Sequence, residues 1–512
     1  MKKKFLTAAL VTAALAPLSM ANAQEQEYVG TARLTSAATT PITLRVNNNY
    51  YGVTVDWGDG NPILYKDCTG TEREITGTPK GTIVISGYAG WDMLDCSDCQ
   101  LTSLDVTVAT NLRSVFCQDN QLTELDLRGM ENLTDLDCGG NQLTTITTDA
   151  TEFTSVMTGL ETVNLSDNQL SGKFTTKASN LQVVNLSNNA FTLLTLTNPK
   201  LNALYCDGNE LIGLGLKSNS KLATLVSYNN AITKLLLPDE LPNMQQLVVS
   251  DNKFYNTTEL NLGAATALMD IDVENCGLTS IVTPKNMKVN TLNVAHNTLP
   301  LAVLPLEAYK PAQYKFEPQN PLDITKVPGI IIDNGAPRID VTTWANRTKA
   351  AYQLDMSEYR FIGRTEGATG KADADFTWYS IDKDGQETEM VKGTSASTPG
   401  DYYALNGKFA FFNTQYKAYV RITSKTYGVS VTFKPLVIGT DVTAIETVEN
   451  TQEGLQIHTQ GGEIILSAGQ QQPVSIYTIS GQRVWTGNVG AEGQRVALPK
   501  GIYVVGGKKV LN

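Results

Sequence analysis

Histidine is almost absent from this chain: only His296 and His458 occur in 512 residues, and they stand far apart. A catalytic triad built on histidine, or a metal centre of clustered imidazoles, has very little to draw on. Basic residues are also in deficit, 40 Lys and Arg against 51 Asp and Glu, for a net charge of -11. Such a surface repels phosphate backbones and anionic lipid heads, which argues against nucleic acid and membranes as partners. Long apolar runs are confined to the first residues, where Lys2, Lys3 and Lys4 precede the stretch from Phe5 to Leu18 and the small residues Ala21, Asn22 and Ala23. This is the layout of a signal peptide over residues 1–23, and no later segment is long and apolar enough to insert in a bilayer. The following residue, Gln24, offers no sulfur for lipid attachment. The expectation is an exported, soluble chain.

Cysteine is scarce as well, seven residues and thus an odd number, so a framework in which all pair is excluded. Their positions follow a different rule. From residue 91 to about 300 the chain repeats, most clearly as Leu112, Val115, Cys117 and Asn120, then Leu133, Leu136, Cys138 and Asn141. The asparagine slot recurs as Cys99, Asn120, Asn141, Asn168, Asn189, Asn209, Asn230, Asn252, Cys276 and Asn297, which gives ten turns. Most steps are 20 to 22 residues; the longer ones, 27 before Asn168 and 24 before Cys276, are expected to bulge outward.

The pattern LxxLxLxxN with this period is the leucine-rich-repeat signature of a solenoid. Apolar residues at its first, fourth and sixth positions point inward from a short strand, and no turn can bury them without a neighbour above and below. The asparagine at the ninth position bends the chain and can bond the backbone groups that the bend leaves unpaired. Only about five residues separate the second apolar beat, such as Leu122, Leu125 and Leu127, from the next repeat. That leaves no room for a helix, so the outer wall should be extended or tightly turned. Cys96, Cys117, Cys138 and Cys206 fall at the inward sixth position and read as small buried hydrophobes with free thiols.

These short repeats, with Cys alternating with Leu, resemble the cysteine-containing leucine-rich repeats of bacterial surface proteins of the internalin J kind. The resemblance covers roughly residues 91–300 and implies adhesion or recognition without specifying a ligand.

The third, fifth, seventh and eighth positions are expected to face out of the concave sheet. None of them holds Lys or Arg in the ten turns, whereas eleven are acidic: Asp95, Asp98, Asp119, Asp135, Asp137, Asp167, Asp207, Asp251, Asp270, Asp272 and Glu274. An apolar centre of Tyr205, Val226, Tyr228 and Val248 lies among them, with Phe116 in an earlier turn. An apolar, aromatic centre with a hydrogen-bonding rim is how recognition patches are built. The partner-binding candidates are thus Phe116, Asp135, Asp137, Tyr205, Asp207, Val226, Tyr228, Val248, Asp270 and Asp272. Asp and Asn are also common beside tight turns, and aromatic or β-branched residues suit strands whether or not anything binds.

Residues 24–90 alternate as short strands and should cap the first turn. Their WGDG turn, from Trp57 to Gly60, resembles that of polycystic-kidney-disease-type β-sandwich modules, with Asp56 and Asp59 serving the turn rather than catalysis. Beyond the repeats a proline-rich stretch, residues 301 to 345, is expected to close the solenoid (91–329) and link it to an immunoglobulin-like β-sandwich at 330–440, with Trp378 as the buried indole. Residues 441–512 carry Ile476, Tyr477, Ser480, Gly481 and Val484, then Leu498, Pro499, Gly501, Ile502 and Tyr503. They resemble the C-terminal sorting domain of type IX secretion cargo of the Bacteroidetes kind, which implies passage to the outer surface. The expected whole is a mainly β, monomeric, non-catalytic chain without metal or cofactor. Its partner would be an extracellular protein or a glycan; the competing expectation is a structural spacer of the envelope or biofilm matrix.

Overall fold

The computed structural model describes residues 28–511 except 50, 69, 89–90, 150–156, 177, 255–257, 285–287, 334, 344–351, 364–369, 396, 399, 440–454, 461–462, 479–482, 500 and 507. The signal peptide, residues 480–482 of the sorting-like motif and most of the insertion before Asn168 lie outside the described residues. The chain is a mainly β solenoid of about ten turns with flanking β modules, divided into two compact units, one ending at Asn189 and the other beginning at Ala190.

In the first unit two walls face each other. The inner wall stacks Trp91–Asp95, Ser114–Phe116, Asp135–Asp137, Thr162–Asn164 and Val183–Asn185 in parallel, each in register with the next. The outer wall stacks Leu101–Asp105, Glu124–Asp126 and Thr145–Thr147, also parallel and without a helix. Both walls start in the N-terminal module. Ile42–Asn48 pairs antiparallel with Trp91–Asp95, and Tyr28–Ser36 pairs antiparallel with Leu101–Asp105. The cap therefore donates one strand to each wall and covers the edge that the first turn would leave open. Its WGDG turn is held by Asp56, whose Oδ1 accepts from the backbone N–H of Gly58, Asp59 and Gly60 at 2.9–3.1 Å.

Leu112, Val115, Cys117, Leu133, Leu136 and Cys138 are all buried between the walls, as their spacing predicts. Each fully buried aliphatic side chain contributes roughly 1.5–3 kcal/mol. The asparagine at each bend does more than turn the chain. Asn141 Nδ2 donates to Cys117 O at 3.0 Å, Cys138 O at 3.1 Å and Gly139 O at 3.2 Å, while its Oδ1 accepts from Leu122 N at 3.0 Å. One side chain thus ties its own turn to the preceding one. Asn120, Asn168 and Asn189 repeat this pattern.

The second unit continues the design by itself. Ala203–Tyr205, Thr224–Val226, Gln246–Val248, Asp270–Asp272 and Thr291–Asn293 form its inner sheet, with Asn230, Asn252 and Asn297 as ladder residues. Cys276 takes the asparagine's place with its thiol donating to Val249 O at 3.1 Å. It lacks the accepting oxygen, and its backbone carbonyl accepts from Phe254 N instead, at 3.0 Å.

An eleventh turn follows that the leucine pattern conceals. Gln313–Lys315 pairs parallel with Thr291–Asn293, and Gln319 fills the asparagine slot: Nε2 donates to Val294 O, and Oε1 accepts from Leu299 N at 2.9 Å. The proline-rich segment is correspondingly a packed joint rather than a free linker. Tyr314 Oη donates to Tyr427 O at 3.1 Å, Tyr427 Oη donates to Pro305 O at 3.0 Å, and Glu317 Oε1 accepts from Ser430 N at 2.6 Å. The sandwich beyond it packs a six-strand path, from Ile331–Asp333 to Glu387–Glu389, on a three-stranded sheet. Trp378 is its buried indole, edge-on to Phe409 and Phe411 at 5.6 and 4.8 Å. A last pair of small sheets, from Leu455–Gln460 onward, encloses Ile464, Leu466, Ile476 and Val505.

Asn141→Ala removes four hydrogen bonds, leaving the Leu122 N–H without its acceptor and taking one donor each from the Cys117, Cys138 and Gly139 carbonyls, which keep Asn120, Asn168 and the Asp119 N–H. It is expected to lower the unfolding free energy by about 3 kcal/mol in a urea titration followed by circular dichroism.

Candidate binding face

Parallel register converts each repeat position into a column. In the second unit the fifth positions align as Tyr205, Val226, Val248, Asp272, Asn293 and Lys315. The third positions align beside them as Ala203, Thr224, Gln246, Asp270, Thr291 and Gln313. Tyr205, Val226 and Val248 are half-buried on the outward face of the sheet, and Tyr228 is 41% exposed at the seventh position of its turn. Of the residues proposed from sequence, these four and Asp270 and Asp272 come together.

Asp207 does not join them. It is 6% exposed, folded into the bend, as are Gly139, Ser166, Ser187 and Ala295 at the same position, while Ser97, Gln118, Ser250 and Glu274 there are half-buried. The eighth position carries another correction. Asp98, Asp119, Asp167 and Asp251 have φ between 54° and 56°, as do Asn188 and Asn275 near 54°. A left-handed backbone suits Asp, Asn and Gly, so these acids are chosen by the bend and not by a ligand. They also bond each other along the stack, Asn188 Nδ2 to Asp167 Oδ1 and Asn275 Nδ2 to Asp251 Oδ1, each at 2.8 Å.

In the first unit Phe116, Asp135 and Asp137 lie half-buried on the inner sheet, with Phe116 and Asp137 in one column. Both carboxylates are occupied. Asp135 accepts from Ser114 Oγ, Thr134 Oγ1 and Thr162 Oγ1 at 3.4, 2.8 and 2.9 Å. Asp137 Oδ1 accepts from Gly139 N at 3.0 Å and Asn164 Nδ2 at 2.9 Å. Much of that acidic character serves the stack itself.

Two cations that the ten-turn pattern leaves out stand on these sheets. Arg45, from the cap, reaches Asp95 at 3.2 Å, and Lys315, from the eleventh turn, reaches Glu274 at 2.5 Å. The spacing of Pro311, Tyr314, Phe316 and Gln319 is the signal that would have revealed Lys315. Between Val248 and Asn293 no such compensation occurs. Asp270 forms no side-chain hydrogen bond or ion pair among the described residues, and Asp272 accepts only from neighbours on its own and the adjacent strand, Glu274 N at 3.1 Å among them. Burial raises the Asp272 carboxyl above its usual range, against the pull of the Glu274 N–H and Asn293.

All seven cysteines are free and buried. Burial pushes Cys99 and Cys276 up to about 12 and Cys96, Cys117, Cys138 and Cys206 well above the ordinary thiol value. The Cys96 and Cys99 pair is accounted for by the repeat, since Cys99 Sγ donates to Ser97 O at 3.1 Å and Cys96 Sγ to Phe116 O at 3.5 Å. Among the described residues no group of three His, Cys, Asp or Glu could hold a metal ion, and no helix is long and apolar enough to cross a membrane.

A family model described as leucine-rich repeats in two copies matches residues 110–150. Two solved structures are similar to the chain. One is the functional domain of InlJ from Listeria monocytogenes, which includes a cysteine ladder, at 16% identity over 70% of this chain and 93% of that one, with a TM-score of 0.29. The other is YopM from Yersinia enterocolitica WA-314, at 19% identity over 41% of this chain and 51% of that one, with a TM-score of 0.26. No curated protein matches the chain.

Two measurements follow from the buried groups. Iodoacetamide at about pH 8 should label none of the seven thiols in the native chain and all of them in about 6 M guanidinium, by mass spectrometry. For Asp272, a raised native value means that the folded chain holds a proton where the unfolded chain has lost it, so this carboxylate opposes folding at neutral pH. Asp272→Asn should melt above the parent at pH 7, and the gap should close as pH falls below about 4, the unfolded carboxyl value.

Proposed function

We propose that the chain is an exported, non-catalytic binding protein of the outer cell surface, an adhesin or receptor that recognises an extracellular protein or glycan through the inner sheet of its solenoid. The observation that carries this reading is the column of Tyr205, Val226 and Val248. Their register aims three apolar side chains at solvent from a sheet whose opposite face already buries Leu204, Leu225 and Leu247. Side chains needed only for folding would sit on the buried face; a run of apolar residues on the outward one is what recognition patches use. Residues 1–23 act in this reading as an export signal, and residues 441–512 as a surface-sorting module of the type IX kind. The divisions at 90, 329 and 440 then mark cap, solenoid, sandwich and sorting module.

A second reading, a structural spacer of the envelope or biofilm matrix, draws support from the first unit. There Asp135 and Asp137 are satisfied by their own neighbours and have little left to offer a ligand.

The two readings part in one experiment. The chain is applied to an array of glycans and extracellular proteins, alongside a variant carrying Tyr205→Ser and Tyr228→Ser. Binding to at least one class, weakened about 10-fold or more in the variant at unchanged melting temperature, is the expected result. Equal signals from parent and variant would remove the adhesin reading and leave the spacer.

A further inference from the structure

The inner sheet of the second unit changes character within one step. Tyr205, Val226 and Val248 form its apolar half; the next strand presents Asp270 and Asp272 in adjacent columns. Neither carboxylate forms an ion pair among the described residues, while the nearest cation in the column, Lys315, is engaged by Glu274. Asp272 accepts from the Glu274 N–H and Asn293, but no positive charge among the described residues answers either carboxylate. Two uncompensated acids beside an apolar strip are complementary to a ligand that carries a cation next to apolar groups.

Resting on the inner-sheet reading above, we infer that the ligand of this face is an extended polypeptide segment, apolar at two alternate positions and bearing Lys or Arg four residues from the first. The spacing comes from the sheet. Tyr205 to Asp272 is three strand steps of about 4.8 Å, about 14 Å in all, and an extended chain rising about 3.3 Å per residue covers that in about four residues. Because side chains of an extended segment alternate, the first, third and fifth residues all face the sheet. A glycan fits this surface poorly. A neutral sugar would leave the charges of Asp270 and Asp272 unanswered, whereas a cation to meet them is a common feature of peptides.

The test uses the full chain and fluorescent nine-residue synthetic peptides with Val or Leu at the first and third facing positions and Lys, Arg, Gln or Glu at the fifth. Affinity is read by fluorescence polarisation at about 0.05 and 0.5 M salt, limits between which screening of exposed charges becomes nearly complete. Parent protein is expected to bind Lys and Arg peptides at least about 10-fold more tightly than the Glu peptide, with the preference fading at high salt and in a variant carrying Asp270→Asn and Asp272→Asn. Asp270→Asn alone, which has no side-chain bond to lose, serves if the double variant melts early. Equal affinity for Lys, Gln and Glu peptides, a preference that survives in the Asn variants, or no peptide binding at all would overturn the inference. If charge proves irrelevant but Tyr205→Ser with Tyr228→Ser abolishes peptide binding, only the cationic ligand is lost. If neither set of variants alters the binding observed, the inner-sheet reading falls with it.

Discussion

Every turn of this solenoid bends sharply at its ninth position, and the bend leaves backbone carbonyls pointing into an apolar interior. The asparagine amide that receives them is the interaction on which the other features depend. It is short enough to sit inside the bend, and it carries both a double donor and an acceptor, so that it bonds its own turn and the preceding one together. Where Cys276 fills the slot, its backbone carbonyl replaces the accepting oxygen and takes the Phe254 N–H. Glutamine fills it at the last turn, where Gln319 reaches the same kinds of partner. Since leaving a buried polar group unpaired costs more than a typical hydrogen bond contributes, this slot admits few residue types.

That restriction explains how much of the fold could be read from residues alone. The LxxLxLxxN beat gives the strands, their direction and their buried faces, because each of those follows from one period. The eleventh turn was hidden because Pro311, Tyr314 and Phe316 replace Leu at three of its inward positions, although Gln319 preserves the chemistry of the slot. The seventh and eighth positions depart from the alternation of faces for a related reason. Both lie past the end of the strand, where alternation of faces no longer applies, so Asp207 is buried and Asp98, Asp119 and Asp167 answer to a left-handed backbone. A period of two is informative only inside a strand. The sixth slot likewise holds Ser227, buried without a partner for its hydroxyl, where Cys206 and Val249 stand in neighbouring turns. Nothing in the packing around it accounts for that choice.

Column geometry also sets what such a surface can do. A substitution at a fifth position changes one point in a row whose spacing is set by backbone hydrogen bonds, so chemistry varies along the row while geometry does not. In the first unit most acidic groups in these rows are consumed by neighbouring turns. In the second, an apolar run meets Asp270, which has no side-chain bond among the described residues, and Asp272, whose bonds to the Glu274 N–H and Asn293 bring no positive charge and whose own charge burial disfavours. Groups that weaken the fold where they stand are candidates for a task elsewhere.

The closing turn has a further implication. Gln319 presents to the turn before it the same pattern of donor and acceptor that an internal asparagine presents, and the cap meets the first turn through ordinary strand pairing on both walls. Neither end is therefore tailored to a particular number of turns. Duplication or loss of one whole repeat leaves both ends chemically intact and only shifts which columns lie beside one another, so descendants of this gene would be expected to differ in repeat number more readily than in the sequence of their ends.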